Sequence, residues 1–125
     1  MVEPLARQRL QHGGVRPMMV SDKDQRRRLS SVSLTPHEIT TSADSARSVF
    51  AIDVDGDGDI DVLSASFNDD TIAWYESDGA SPPSWTTHTV TTSANGARSV
   101  FAIDVDNDGD IDLCSASSND DTIAW

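Results

Sequence analysis

Cysteine is all but missing from this 125-residue sequence, long apolar runs are missing altogether, and positive charge is missing from most of its length. Its one thiol, Cys114, cannot form an internal disulfide, which excludes the stapled miniproteins whose small cores depend on several bridges. No stretch reaches the roughly 18 consecutive apolar residues of a membrane-spanning helix. The opening segment, "MVEPLARQRLQHGGVRPMMVS", also lacks the apolar run of about 7–15 residues that marks a secretory signal. Hydrophobic residues make up 37% of the chain, below the usual 45–50% or so, and one small domain with an economical core is expected.

Seven of the nine Lys and Arg residues precede residue 36, leaving Arg47 and Arg98 against eighteen acidic residues, a formal charge of −16. Such a surface repels phosphate backbones and anionic lipid, so nucleic acid is excluded as a partner and a hard cation is favoured. Residues 1–36 are basic and polar without periodicity and read as a disordered leader. Within them "RRRLSS" has the form of a basophilic kinase site, although a solvated basic tail is the simpler reading.

What the chain has in abundance is repetition. "HEITTSADSARSVFAIDVDGDGDIDVLSASFNDDTIAW", from His37 to Trp74, returns 51 residues later from His88 to Trp125, with 30 of 38 positions identical. Two units follow, 37–87 and 88–125. Short β-branched and aromatic runs cut by Gly, Asp, Asn and Ser predict an all-β fold, with strands near 37–42, 47–53, 60–66, 71–76, 85–92, 98–104, 111–117 and 121–125. "SVFAID" and "IDVLSAS" carry apolar residues on both faces, so these strands are expected to be covered on both sides. Leu63 becomes Cys114 in the second copy, which marks a buried apolar position rather than a reactive thiol.

Within each copy lies a run of alternating aspartates, "DVDGDGDID" at 53–61 and "DVDNDGDID" at 104–112. Residues two apart in an extended chain are only about 7 Å apart, so either water screens these carboxylates or a cation collects them. Counting from the first Asp, side chains at positions one, three, five and nine are Asp53, Asp55, Asp57 and Asp61, and Asp59 offers its carbonyl at position seven. The second set is Asp104, Asp106, Asp108 and Asp112, with the carbonyl of Asp110. Calcium takes six to eight oxygens at about 2.3–2.6 Å, and a Gly at position six (Gly58, Gly109) allows the sharp turn that brings them inward. Magnesium prefers a tighter octahedron with retained waters, and zinc would want His or Cys, which neither loop contains. An EF-hand needs Glu at position twelve, where this chain has Ser64 and Ser115, and flanking helices rather than strand-like runs. The exchange of Gly56 for Asn107 predicts a left-handed backbone at position four.

"VFAIDVDGDGDIDVLSAS", the following "DDTIAWYE" and their second copy resemble the FG-GAP or VCBS-type repeats of calcium-binding β-propellers, such as those in the head of integrin α subunits. The literal Phe-Gly and Gly-Ala-Pro signatures are absent, so the VCBS-like branch is the better match. The resemblance implies two propeller blades, each a four-stranded antiparallel sheet, with about two Ca2+ per chain held by the aspartates named above. Propellers close with about four to eight blades and two leave apolar faces uncovered. The expectation is therefore a fragment of a larger propeller, the alternative being several copies assembled as a ring.

His37 and His88, the pairs Asp69/Asp70 and Asp120/Asp121, and Trp74 and Trp125 recur with the repeat and are read as packing or turn residues rather than catalytic ones, while Trp85 is the better exposed aromatic. No nucleophile and base are fixed by spacing. The function expected is a non-enzymatic, calcium-braced repeat module for extracellular or cell-surface recognition or adhesion, with a protein or carbohydrate ligand. Its rivals are the scaffold portion of a polysaccharide-active lyase or hydrolase and a carbohydrate-binding module.

Overall fold

The computed structural model describes residues 34–125, with a compact unit from His37 to Trp125. Apart from its last three residues, the leader expected over 1–36 lies outside the described residues, as does "RRRLSS". Seven strands form: β1 (Ala46–Ile52), β2 (Asp61–Ser66), β3 (Thr71–Ser77), β4 (Trp85–Thr91), β5 (Ala97–Ile103), β6 (Asp112–Ser117) and β7 (Thr122–Ala124). They make two antiparallel sheets, β1-β2-β3-β4 and β5-β6-β7, in which each strand pairs with the next along the chain. No helix occurs among the described residues, and none therefore crosses a membrane.

The repeat is visible in the register. Phe50 faces Leu63 across β1 and β2, and Phe101 faces Cys114 across β5 and β6. Each first strand carries the same irregularity, between Ala46 and Ser48 and between Ala97 and Ser99. β4 begins inside the first sequence unit and ends inside the second, yet it completes the first sheet, with Trp74 opposite His88. The structural sheet is thus permuted relative to the sequence repeat.

Two expectations are corrected. Residues 37–42 form no strand, although their equivalents at 88–93 overlap β4. A fourth strand needs the outer edge of a third; that of β3 is taken by β4, and 37–42 do not pair with that of β7. The second sheet accordingly has three strands instead of four.

One core fills the space between the sheets. Leu63, Ala65 and Ile72 from the first sheet meet Ala97, Val100 and Ala102 from the second, with Phe50, Ile52, Trp74, Ile111 and Leu113 packed around them. Full burial of a Leu or Ile side chain contributes about 1.5–3 kcal/mol, so Leu63 and Ile72 are principal contributors. Two-sided cover is found at β2, where Leu63, Ser64, Ala65 and Ser66 are all buried. It is not found at β1, where Val49 is 69% exposed while its repeat equivalent Val100 is 3% exposed. Cys114 is half-buried, unlike Leu63, because its sheet face has no neighbour among the described residues.

Polar contacts fix how the sheets meet. The Asp70 carboxylate accepts the Gly96 N–H at 2.7 Å, the Asp70 carbonyl accepts the Ala94 N–H at 3.0 Å, and the Ser48 hydroxyl accepts the Val100 N–H at 3.3 Å. Phe50 and Phe101 lie ring to ring at 4.6 Å. Arg47 and Arg98, one from each sheet, sit 5.1 and 5.0 Å from the centre of the Phe67 ring.

Candidate metal-binding loops

The β1–β2 and β5–β6 connections carry the two acidic runs, and their backbones turn in the same way. Gly56 and Asn107 have φ of 77° and 63°, and Gly58 and Gly109 have φ of 97° and 99°. Position four is therefore left-handed in both loops, as the Gly-to-Asn exchange predicts. No heavy atom lies near a side chain built at Gly58 or Gly109, so backbone conformation rather than crowding calls for glycine there.

The aspartates fold the loops by accepting their N–H groups. Asp53 takes the Gly56 N–H at 2.8 Å and the Gly58 N–H at 3.0 Å, Asp55 takes that of Asp57 at 3.2 Å, and Asp57 takes that of Asp59 at 2.8 Å. In the second loop Asp104 takes the N–H groups of Asp108 and Gly109, Asp106 also takes that of Asp108, and Asp108 takes that of Asp110. These short-range bonds are what aspartate side chains make in turns, and they leave further lone pairs on each carboxylate.

Position nine is different. Asp61 is fully buried, and its two oxygens accept the Val54 N–H at 3.0 Å and the Ser77 N–H at 2.9 Å, tying the loop to the end of β3. Asp112 accepts the Val105 N–H at 2.9 Å and is half-buried. The spacing identified Asp61 as an oxygen donor but not as a brace, because Ser77 lies outside the repeated motif. Asp59 turns its carboxylate against Gly79 in the β3–β4 connection, leaving its carbonyl as the group that can serve the loop.

Carboxylate oxygens of Asp53, Asp55 and Asp61 lie within 4.8 Å of one another, as do those of Asp104, Asp106 and Asp108. That spread fits oxygens on the surface of one ion with bonds of about 2.3–2.6 Å, and the donors are all hard oxygens. Both groups could hold a metal ion. Asp57 stands outside the first group and Asp112 outside the second, and neither Asp59 nor Asp110 enters through its carboxylate. Partial desolvation, then repulsion from Asp57, Asp61 and Glu76, holds the Asp55 carboxyl above the usual range, against the opposing bond from the Asp57 N–H. A cleft of about 240 Å³ between the loops has Asp53, Asp55 and Gly56 on one wall and Gly109, Asp110 and Ile111 on the other.

The remaining residues singled out in sequence fall elsewhere. His88 stacks on Trp74 at 4.4 Å and meets Glu76 at 2.7 Å, within one sheet. Asp69 and Asp70 form the β2–β3 turn, at the opposite end of the sheet from the acidic loop. Trp85 begins β4 and is half-buried rather than a linker aromatic, whereas Trp125 is exposed. The tie from Asp70 to Gly96 was not legible in sequence, although recurrence of Asp70 as Asp121 was the signal that could have found it.

No curated protein and no solved structure gives a significant match to this chain. A family model described as an FG-GAP-like repeat matches residues 53–115, from the first Asp of the first loop to β6, about half of the chain. With a repeated strand–acidic loop–strand unit and a matching family model over that span, the chain belongs to the FG-GAP-like repeat family.

Proposed function

We propose that the two acidic loops bind calcium, about one ion each, and that the chain is a calcium-braced β-propeller repeat module serving extracellular recognition or adhesion, not an enzyme. The observation that carries this reading is the duplication of the loop: turn, glycine position and the paired carboxylates of positions one and three recur 51 residues apart, joined by position nine in the first loop and by position five in the second. A solvated acidic turn needs charge, but it does not need three carboxylates gathered within reach of one ion in both copies. Calcium is preferred to magnesium because the donors are many and the loops exposed, and weak calcium sites of about 10⁻⁴–10⁻³ M are those of extracellular modules. Membership of the FG-GAP-like family supports the propeller setting. The ligand is a protein or carbohydrate.

Calorimetric titration of calcium into the metal-free chain tests the reading. The control carries Asp55→Asn and Asp106→Asn, which keep an oxygen to accept the Asp57 and Asp108 N–H groups while removing one charge per loop. Saturable heat near two ions per chain, weakened at least tenfold in the control, is expected. Heat no greater than dilution from folded protein would leave the loops as acidic turns.

A further inference from the structure

Arg47 and Arg98 are the only Lys or Arg residues from 37 to 125, where eighteen carboxylates compete for them, yet neither forms an ion pair among the described residues. The fold instead brings them together. One comes from each sheet, and both guanidiniums stand over the Phe67 ring, 5.1 and 5.0 Å from its centre. The carboxylates at this end of the sheets are engaged elsewhere: Asp44 by Asn68, Asp69 by the Asp44 N–H, Asp70 by the Gly96 N–H and Asp120 by Ser117. Two like charges gathered on one ring repel each other, and an oxyanion held by both turns that repulsion into attraction.

The backbone presents the two arginines in the same way. Ala46 and Ser48 pair with the adjacent β2 residues Ser66 and Ala65, so Arg47 is an extra residue in β1; Arg98 is the same extra residue in β5, between Ala97 and Ser99. A bulge of this kind bends the strand and re-aims its side chain. The Ser45 carbonyl accepts the Phe67 N–H at 3.1 Å and the Gly96 carbonyl accepts that of Ser118 at 3.1 Å, which pins the start of each bulged strand to the turn beside it. The Arg98 Nε donates to the Ser118 hydroxyl at 2.9 Å, so its two terminal NH2 groups remain to bond a ligand, and Arg47 has no hydrogen-bond partner among the described residues.

We infer that Arg47 and Arg98, set on Phe67, form a binding site for a sugar acid, a single carboxylate on a polyhydroxylated body. A guanidinium stacked on an aromatic ring keeps its N–H edge open, and that edge matches a carboxylate through two parallel bonds. One charge is favoured over many, since residues 37–125 carry −16 and repel a polyanion. A polyol body is favoured over an apolar one because Asn68, Ser118 and Asn119, beside the ring or at its repeat position in sequence, are exposed amides and a hydroxyl that both donate and accept. Phe67 opens the β2–β3 turn, at the opposite end of its sheet from the acidic loop, so the site needs no calcium. The inference rests on the recognition part of the proposed function and names the class of ligand recognised.

The test is a nuclear magnetic resonance titration of the full chain with methyl glucuronide, following the Arg47 and Arg98 Nε–H signals, with and without calcium. Methyl glucoside and an acetylated glutamate-containing tripeptide are the neutral and peptidic controls. Saturable shifts of both signals are expected with the glucuronide, with either control at least tenfold weaker. Arg47→Gln and Arg98→Gln should each weaken glucuronide binding at least tenfold, and Arg47→Lys, which keeps the charge without the fork, should restore only part of it. Should the loss of the Ser118 bond in Arg98→Gln disturb folding by circular dichroism, Arg47→Gln carries the test. No shift, equal binding of glucuronide and glucoside, tighter binding of the peptide, or variants that bind as wild type does would each overturn the inference. A glycan array run beside it separates the two readings: capture by neutral glycans, unchanged in Arg47→Gln, would overturn this site and leave recognition standing.

Discussion

Asp61 and Asp112 occupy the same position in two nearly identical loops and do different amounts of structural work. Asp61 is buried with two backbone N–H groups on its oxygens, whereas Asp112 is half-buried with one. Stranding a buried donor costs about 1–3 kcal/mol, so Asp61→Ala should lower stability by about 2–5 kcal/mol and Asp112→Ala by about half as much. Urea unfolding of the metal-free variants measures this, and equal losses would refute the brace assigned to Ser77. Asp55 carries a trade-off. Its folded carboxyl is raised above the ordinary value, so its ionised form opposes folding at neutral pH. Asp55→Asn should therefore raise the melting temperature without calcium and shrink the increase expected on adding calcium. Asp78 has the opposite sign: N–H groups of Ser84 and Ala80 hold its carboxyl below the ordinary value. Its contribution is present above about pH 4 and is lost as pH falls. Asp78→Ala should thus destabilise the chain at neutral pH and flatten the acid limb of its stability profile.

At the scale of elements, the loops were the most legible part of the chain. Alternating Asp fixed where the strands stop, and the Gly56/Asn107 exchange disclosed a left-handed position that both loops adopt. Gly56→Asn should therefore leave stability nearly unchanged, while Gly58→Ala, at φ 97° with open space around it, should cost about 1–2 kcal/mol through backbone strain alone. Thermal melts of the two variants side by side would show it. Less legible was the fate of 37–42, whose sequence is that of a strand but which pairs with no edge among the described residues. Strand propensity states what a segment can do, and pairing depends on geometry that a local pattern does not contain. The same gap explains β1. Apolar residues on both its faces predict cover on both sides, and among the described residues only one face is covered.

For the whole molecule, the repeat carried most of the information. Two copies of 38 residues predicted two sheets of one design, and the register confirms it down to the shared irregularity. The permutation, with β4 bridging the sequence units, could be anticipated from the repeat starting at His37 and His88. The contacts that lock the sheets could not, because Asp70 to Gly96 and Ser48 to Val100 depend on the angle at which the sheets meet. Calcium should act on the molecule as a unit. At ten times the dissociation constant each occupied site adds about 1.4 kcal/mol, so two sites should raise the unfolding midpoint by several degrees, and an equal ionic strength of sodium chloride should not.

Phe67 is one of eight positions at which the copies differ, and Ser118 stands in its place in the second. Arg47 from the first sheet and Arg98 from the second share the Phe67 ring, and the Arg98 Nε also donates to the Ser118 hydroxyl at 2.9 Å. The joint between two near-identical sheets is therefore clasped by a residue that the repeat does not repeat: with serine at 67, as at 118, both arginines would lose the ring they share.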